Sequence, residues 1–275
     1  MGTHNPLEMD NVVRPKTRDR GICFLHLPKT AGSFVVACFE ERYGAENCAP
    51  FIEGHLVKSI STGTADPIAA DFISAHASFH TLSIAGVRQR FDLFTILRDP
   101  VDRLVSHMNW MDRYNHRDRR QELRQLPKAH LTLLEQLKSA DCHDVDSMRR
   151  FFHLDDLTKA QFLLNMQTGM VMDCIRKDIL SIAALSQLPN EAIRKRLRKF
   201  RFVGQVQEFN DLFLAQTGFD PADLGDGVNK THQGRFSRTP ELERFCQPYV
   251  QADKRLLTIC KAERAKGNLN DLVID

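Results

Sequence analysis

A chain of 275 residues suits one large α/β domain or two small ones and can bury a sizeable core. Hydrophobic residues at 42% and charged residues at 27% are ordinary for a soluble globular protein. The net charge of +3 makes no overall case for nucleic-acid binding.

Residues 1–20 are polar and charged, with no apolar stretch of the signal-peptide kind, and read as a flexible tail; residues 21–275 read as a single domain. Gly21 to Leu27 is a short apolar run interrupted only by His26 and stopped by Pro28, the pattern of a buried parallel strand. Phe34, Val35, Ala37, Cys38 and Phe39 then recur at helical spacing to about Tyr43. The segment is therefore a strand, a tight Lys29-Thr30-Ala31-Gly32-Ser33 loop and a helix. The first N–H groups of a helix lack partners and lie at the positive end of its dipole, a ready site for phosphate or sulfate. Gly32 permits close backbone approach, Thr30 and Ser33 offer hydroxyls, and Lys29 a mobile charge. The order is not that of a Walker A loop, which places its lysine after the second glycine.

Residues 44–70 are mixed in composition, with Gly63 and Pro67 marking turns, and receive no assignment. Asp71 to Ala75 reads as a second strand delivering His76 and His80 near its C-terminal end, where open α/β sheets place ligands. Phe91 to Leu97 reads as a third strand, running into Arg98-Asp99-Pro100. Asp99 is placed as a helix N-cap and Pro100 as the first helical residue, with Val101, Leu104, Val105 and Met108 inward and Ser106 about two turns along. The region from Leu131 to Lys199 reads as several helices. Phe202 to Val206 reads as another strand, Glu208 to Phe213 as the start of the next helix, and Pro240 to about Lys266 as a long helix. Two basic runs stand out, Arg117 to Arg124 and Arg194 to Arg201; such runs are usually solvated helix faces.

The stretch Leu27-Pro28-Lys29-Thr30-Ala31-Gly32-Ser33 resembles the 5′-phosphosulfate loop of sulfotransferases that use PAPS (3′-phosphoadenosine 5′-phosphosulfate). Thr95-Ile96-Leu97-Arg98-Asp99-Pro100, continuing to Ser106, resembles the 3′-phosphate motif of the same family. The closest likeness is to the branch containing heparan sulfate 2-O-sulfotransferase, the chondroitin 4-O-sulfotransferases and bacterial relatives. The resemblance implies a three-layer α/β fold, a central parallel sheet flanked by helices and related to nucleotide kinases. It implies that Lys29, Thr30, Ala31, Gly32, Ser33 and Phe34 hold the 5′-phosphosulfate and that Arg98 and Ser106 hold the 3′-phosphate. Arginine's planar fork and a completing hydroxyl suit that role. Val228-Asn229-Lys230-Thr231 resembles the late basic loop that folds over the nucleotide, which adds Lys230 and Thr231. Asn165-Met166-Gln167-Thr168 resembles a stretch that recurs in these enzymes, with no chemical role to assign.

The reaction so implied is transfer of a sulfuryl group from PAPS to an acceptor hydroxyl, with Lys29 at the leaving group and no metal. Ser74-Ala75-His76-Ala77-Ser78 aligns with the segment carrying the family's histidine base, which points to His76; His80 is the second candidate, and His26 reads as a packed strand residue. An ordinary histidine pKa near 6.5 suits that work. Ser74 stands where the heparan enzyme carries a second functional histidine, so uronic-acid specificity does not carry over. A saccharide, a lipid, a small metabolite or a peptide tyrosine remains open as acceptor. An ATP-dependent kinase on a related fold and an inactive nucleotide- or glycan-binding protein are the competing readings. Seven cysteines without a C-x-x-C pair, and the lack of an apolar run long enough to span a bilayer, point to a soluble cytoplasmic enzyme.

Overall fold

The computed structural model describes residues 20–63, 68–115, 128–153, 163–173, 184–224 and 234–274. The expected tail, apart from Arg20, and the Lys230-Thr231 pair lie outside the described residues.

Five parallel strands form one sheet: β1 (Gly21–Leu25), β2 (Cys48–Ala49), β3 (Phe72–Ala75), β4 (Phe91–Ile96) and β5 (Phe202–Gly204), in the spatial order β2-β3-β1-β4-β5. β1 lies at the centre, with Ile22 opposite Phe72 of β3 and Phe24 opposite Phe94 of β4. Alternate residues feed opposite faces. Cys23 and Leu25 join the core on one side, while Ile22 and Phe24 join the core on the other. Both faces are covered, which is why these strands read as continuous apolar runs. The expected three-layer α/β architecture is what the chain adopts.

Helix α1 (Gly32–Tyr43) follows β1, and its Phe39 ring stacks on Phe72 with centroids 4.3 Å apart. Residues 44–70, unassigned from sequence, hold β2 and α2 (Glu53–Thr62). Two short helices, α3 (Phe79–Ile84) and α4 (Val87–Arg90), lead into β4. α5 (Pro100–Asp112) begins as expected, with the Asp99 carboxylate accepting from the N–H groups of Val101 and Asp102 at 2.9 and 3.1 Å. The helical middle contains α6 (Lys128–Lys138), α7 (Val145–Phe151), α8 (Met166–Met172) and α9 (Asn190–Leu197). β5 ends earlier than expected, because Gln205 and Glu208 form a capping box and Val206 already opens α10 (Val206–Thr217). The last helix, α11 (Pro240–Ala265), has nearly the predicted span. No helix among the described residues is long and apolar enough to cross a membrane.

The Asn165-x-Gln167-Thr168 stretch is the joint between α8 and α11. Pro248 lies inside α11, where it supplies no N–H to the helical ladder. Close to it, the Asn165 amide donates to the Pro248 carbonyl at 3.2 Å and accepts from the N–H groups of Ala252 and Asp253 at 2.9 and 3.2 Å. A side-chain amide thus serves two groups, the Pro248 carbonyl and the Ala252 N–H, that an uninterrupted helix would pair with each other. The Asp253 carboxylate returns the connection, accepting from the N–H groups of Thr168 and Gln167 at 2.7 and 3.3 Å. Burial pushes that carboxyl up, while the buried Arg103 charge and the two N–H groups pull it back.

Asn165→Ala leaves these α11 groups without their partner and also forces alanine into the φ of 38° that asparagine tolerates. The expected loss is roughly 2–4 kcal/mol, seen as a lower denaturant midpoint at unchanged slope. A change under half a kcal/mol, roughly the ordinary surface range, would show that the amide is dispensable.

Candidate functional site

In this sheet the chain leaves β1 toward β2 and β3 on one side and reaches β4 and β5 on the other. The crevice beyond the C-terminal strand ends at such a switch point is where open α/β folds bind ligands. A cavity of about 1040 Å³ lies there, walled by segments following β1, β4 and β5 and by His76 after β3.

The loop after β1 forms its floor. Lys29 and Ala31 take positive φ values of 68° and 69°, a region non-glycine residues enter at a cost of order 1–3 kcal/mol. No side chain caps α1, in contrast to α5 with Asp99 and α3 with Ser78. The Val35 N–H bonds to the Ala31 carbonyl at 3.1 Å, so the N–H groups of Gly32, Ser33 and Phe34 begin the helix without intrahelical partners. Gly32 is required by more than its turn: a Cβ there would stand 1.5 Å from Nε2 of His26. Ser33 is exposed on the cavity wall. Thr30 is not. Its hydroxyl is buried and donates to the Leu27 carbonyl at 2.9 Å, so it holds the loop's shape instead of offering the expected side-chain contact.

Arg98 meets this loop directly, its guanidinium donating to the Lys29 carbonyl at 3.3 Å. Its own backbone is gripped from both sides by the buried amide of Gln167. The Arg98 N–H donates to Oε1 at 2.9 Å, and Nε2 donates to the Arg98 carbonyl at 3.1 Å. Ser106 is 7% exposed and lines the same cavity. One helical stripe carries Ser106, Trp110 and Arg113, at spacings of four and three, into the site. The Trp110 ring has the Lys29 ammonium 5.9 Å and the Arg113 guanidinium 5.2 Å from its centroid. Burial pushes Lys29 down to about 8, and the Arg113 and Arg98 charges push the same way. Among the described residues no carboxylate forms an ion pair with Lys29, Arg98 or Arg113. The nearby Asp99 and Asp102 are engaged by Arg238, each at 3.2 Å. An uncapped helix start facing three uncompensated cations fits a multiply charged anion such as a nucleotide bisphosphate.

His76 is exposed at the cavity wall. Its ring stacks on His26 with centroids 3.9 Å apart, and Nδ1 is 2.8 Å from the His26 carbonyl. A carbonyl only accepts, so Nδ1 carries a proton, and in the neutral ring the lone pair is then on Nε2. The His76 N–H donates to Glu53 at 2.5 Å, which fixes the backbone of the residue as well. Burial drives His26 down to about 3, helped by the His76 and Lys29 charges, so His26 is a neutral wall. His80 lies apart, in a neighbouring cavity of about 390 Å³ that it shares with His76, with its N–H donated to Asp173. Of the sequence-selected residues that are described, the structure gathers Lys29, Ala31, Gly32, Ser33, Phe34, Arg98, Ser106 and His76 around one cavity and leaves His80 outside it. The sequence reading missed Trp110, Arg113 and His107, and it noted Gln167 without a role. The first two were marked by their helical spacing from Ser106. Residues 234–238 run along α5, where Asn109 exchanges hydrogen bonds of 2.8 and 2.9 Å with Phe236.

No curated protein matches the chain. A family model described as "Sulfotransferase family" matches residues 16–211, a span that includes the loop of Lys29, the strand end of Arg98, the helix of Ser106 and His76. With the parallel sheet and the anion-ready crevice at its switch point, that match places this chain in the sulfotransferase family.

Proposed function

We propose that the protein transfers the sulfuryl group of PAPS to an acceptor hydroxyl, with Lys29 at the leaving group and His76 as the base. The observation that carries this reading is the convergence of an uncapped α1, Lys29, Arg98 and Ser106 on the cavity that also has His76 on its wall. PAPS supplies the sulfuryl group and leaves as adenosine 3′,5′-bisphosphate. The α1 N–H groups and Lys29 neutralise charge that grows on the 5′-phosphate oxygen as its bond to sulfur breaks. His76 Nε2 takes the proton of the acceptor hydroxyl as that oxygen bonds to sulfur. Arg98 and Ser106 hold the 3′-phosphate, and Gln167 positions Arg98. Lys230 and Thr231 complete the nucleotide site in this reading. The branch of the heparan and chondroitin enzymes, a soluble cytoplasmic setting, a metal-free reaction and a hydroxyl acceptor outside nucleic acids belong to the same proposal.

Adenosine 3′,5′-bisphosphate should raise the melting temperature more than ATP at equal concentration, with or without Mg²⁺, because a ligand that binds the native state stabilises it by mass action. A larger, Mg²⁺-dependent shift with ATP favours the kinase. Arg98→Ala should weaken nucleotides with a 3′-phosphate by roughly 1.5–3 kcal/mol while sparing adenosine 5′-phosphosulfate. Equal losses for both nucleotides in calorimetry assign Arg98 to structure alone.

The depressed Lys29 pKa sets a pH dependence. The free fold holds this amine near 8 against an ordinary 10.5. Between those values the folded amine is neutral while the unfolded one is charged, so this group makes folding more favourable as pH rises. Anion binding runs the other way. Affinity for adenosine 3′,5′-bisphosphate should fall about five- to tenfold from about pH 7.5 to about pH 9, since its phosphates are already ionised. Lys29→Arg, charged throughout, should flatten that profile. A wild-type affinity that stays level over the range removes Lys29 from the anion site.

His76→Ala should lower turnover by about 10²–10⁴-fold with nucleotide affinity nearly intact, and His80→Ala should be milder. The measurement needs an acceptor found by a transfer screen across acceptor classes. A folded, PAPS-saturated His76→Ala protein that keeps most of its turnover overturns the assignment.

A further inference from the structure

The basic run Arg194 to Arg201 divides by its pairing. Arg194 and Arg198 lie 3.2 and 3.1 Å from the buried Glu263, and Arg196 is bound to Asp173. Among the described residues Lys195 and Lys199 have no carboxylate partner, and Arg201 has a shared one, Asp92. Lys199 and Arg201, but not Lys195, line a cavity of about 200 Å³ together with Arg20, Arg88 and Asp92. Arg20 directly precedes β1, Phe91 opens β4 and Arg201 directly precedes β5. The cavity therefore lies at the N-terminal edge of the sheet, opposite the crevice that holds Lys29 and His76. Two sets of cations border it. The Asp92 carboxylate takes Arg20 Nε at 2.8 Å and Arg201 Nε at 3.4 Å, one negative charge for two positive. Arg20 donates its other N–H groups to the carbonyls of Arg88, Gln89 and Phe91, at 2.8 to 3.0 Å, and so is a fixture of the wall. Arg201 keeps its two terminal nitrogens without a hydrogen bond among the described residues, and 54% of its side chain is exposed. On the other side the Arg88 guanidinium and the Lys199 ammonium lie 4.6 and 5.8 Å from the centroid of Phe79. That ring is 5.4 Å from the ring of Phe200 on the cavity wall. Arg196 shares the Phe79 face at 4.1 Å, and of the three cations there it alone has a carboxylate among the described residues.

We propose that this cavity binds a sulfate or phosphate group, as a free ion or as an ester, between Arg201, Arg88 and Lys199. The two guanidinium forks offer paired donors that match a tetrahedral oxyanion, and Lys199 adds a point charge. The exposed amide of Asn270, on the same wall and without a hydrogen bond among the described residues, supplies a neutral donor. Stacking on Phe79 holds Arg88 in place before an anion arrives, which lowers the cost of ordering it. The cations are open to solvent, so the site is weak and sensitive to salt. It stands apart from the chemistry assigned to the crevice and does not depend on it.

The test is a calorimetric titration of the full chain with inorganic sulfate at low ionic strength. A Lys29→Ala, Arg98→Ala background removes two cations from the crevice, and sulfate binding should persist in it. Adding Arg88→Gln or Arg201→Gln to that background should weaken binding about five- to tenfold, the loss of one charge-assisted contact in an exposed site. Lys195→Gln removes a charge from the same basic run outside the cavity and should change the affinity less than about twofold. Arg201→Gln, on an exposed side chain, carries the test if Arg88→Gln disturbs the packing on Phe79. Glucose 6-sulfate then identifies the source: tighter binding than sulfate assigns the site to an ester, weaker binding to the free ion. An equal loss in Lys195→Gln and the cavity variants leaves only general attraction to a basic face and overturns the proposal. Unchanged affinity in both cavity variants, no sulfate binding in the crevice-depleted background, or equal binding of unsulfated glucose overturns it as well.

Discussion

The contact from the Arg98 guanidinium to the Lys29 carbonyl joins two segments 69 residues apart, and the cavity is built around the charge it brings together. Lys29, Arg98 and Arg113 converge without a paired carboxylate among the described residues, and burial, with their mutual repulsion added to it, depresses the Lys29 pKa. Left to itself such a cluster would spread into solvent. It stays because its backbone supports are fixed elsewhere: Lys29 by the turn that Thr30 closes on Leu27, Arg98 by both ends of the Gln167 amide. Like charges held together by buried neutral amides and hydroxyls form a site poised for an anion.

That support extends beyond the region matched by the family model. Asp253 in α11 accepts the N–H groups of Gln167 and Thr168, and Asn165 fastens the same turn to the helix around Pro248. The chain of contacts therefore runs from α11 through α8 to the strand end that carries Arg98. Proline weakens α11 at a point where an asparagine from another element can enter the ladder, and the bridging amide fixes the register between the two helices. Damage to α11 far from the cavity should accordingly register at Arg98, because the connecting groups are buried and hydrogen-bonded with no slack side chain between them.

Much of this was legible in the residues. β1, β3 and β4 announced themselves as short apolar runs because both faces of the sheet are covered, and Asp99-Pro100 marked the start of α5 through ordinary capping chemistry. β2 and α2 were not legible. β2 is two residues long, and of the α2 side chains Leu56 and Ser59 are the buried ones, too few to set a period. Gln167 could be singled out by resemblance but not given a task, since its partner is 69 residues away and the pairing is to backbone, which leaves no complementary side chain to notice. Thr30 was credited with a ligand contact because spacing cannot tell a hydroxyl that faces outward from one that closes its own turn. His76 and His80 lie four residues apart, and only the fold separates the ring anchored to the His26 carbonyl from the one in the next cavity.

The least legible segment borders His76. Phe51 stands between β2 and α2 at φ 61°, a left-handed conformation costly for a bulky residue, and half of its surface is exposed. Its ring centroid lies 5.9 Å from that of His26 and 6.1 Å from that of His76. The strain persists because Ser74 in β3 anchors the turn: its hydroxyl accepts the Phe51 N–H at 3.2 Å and its carbonyl accepts the Ile52 N–H at 3.0 Å. Ser74 is fully buried in this task, holding an exposed aromatic ring beside the imidazole pair. An exposed ring held in a strained conformation next to a free histidine nitrogen does little for the core, which β1, β3 and α1 pack without it. Phe51 lines the same cavity as the two imidazoles and the Lys29, Arg98 and Arg113 charges, so one wall of that cavity offers an apolar ring for shape and stacking contacts while others carry charge.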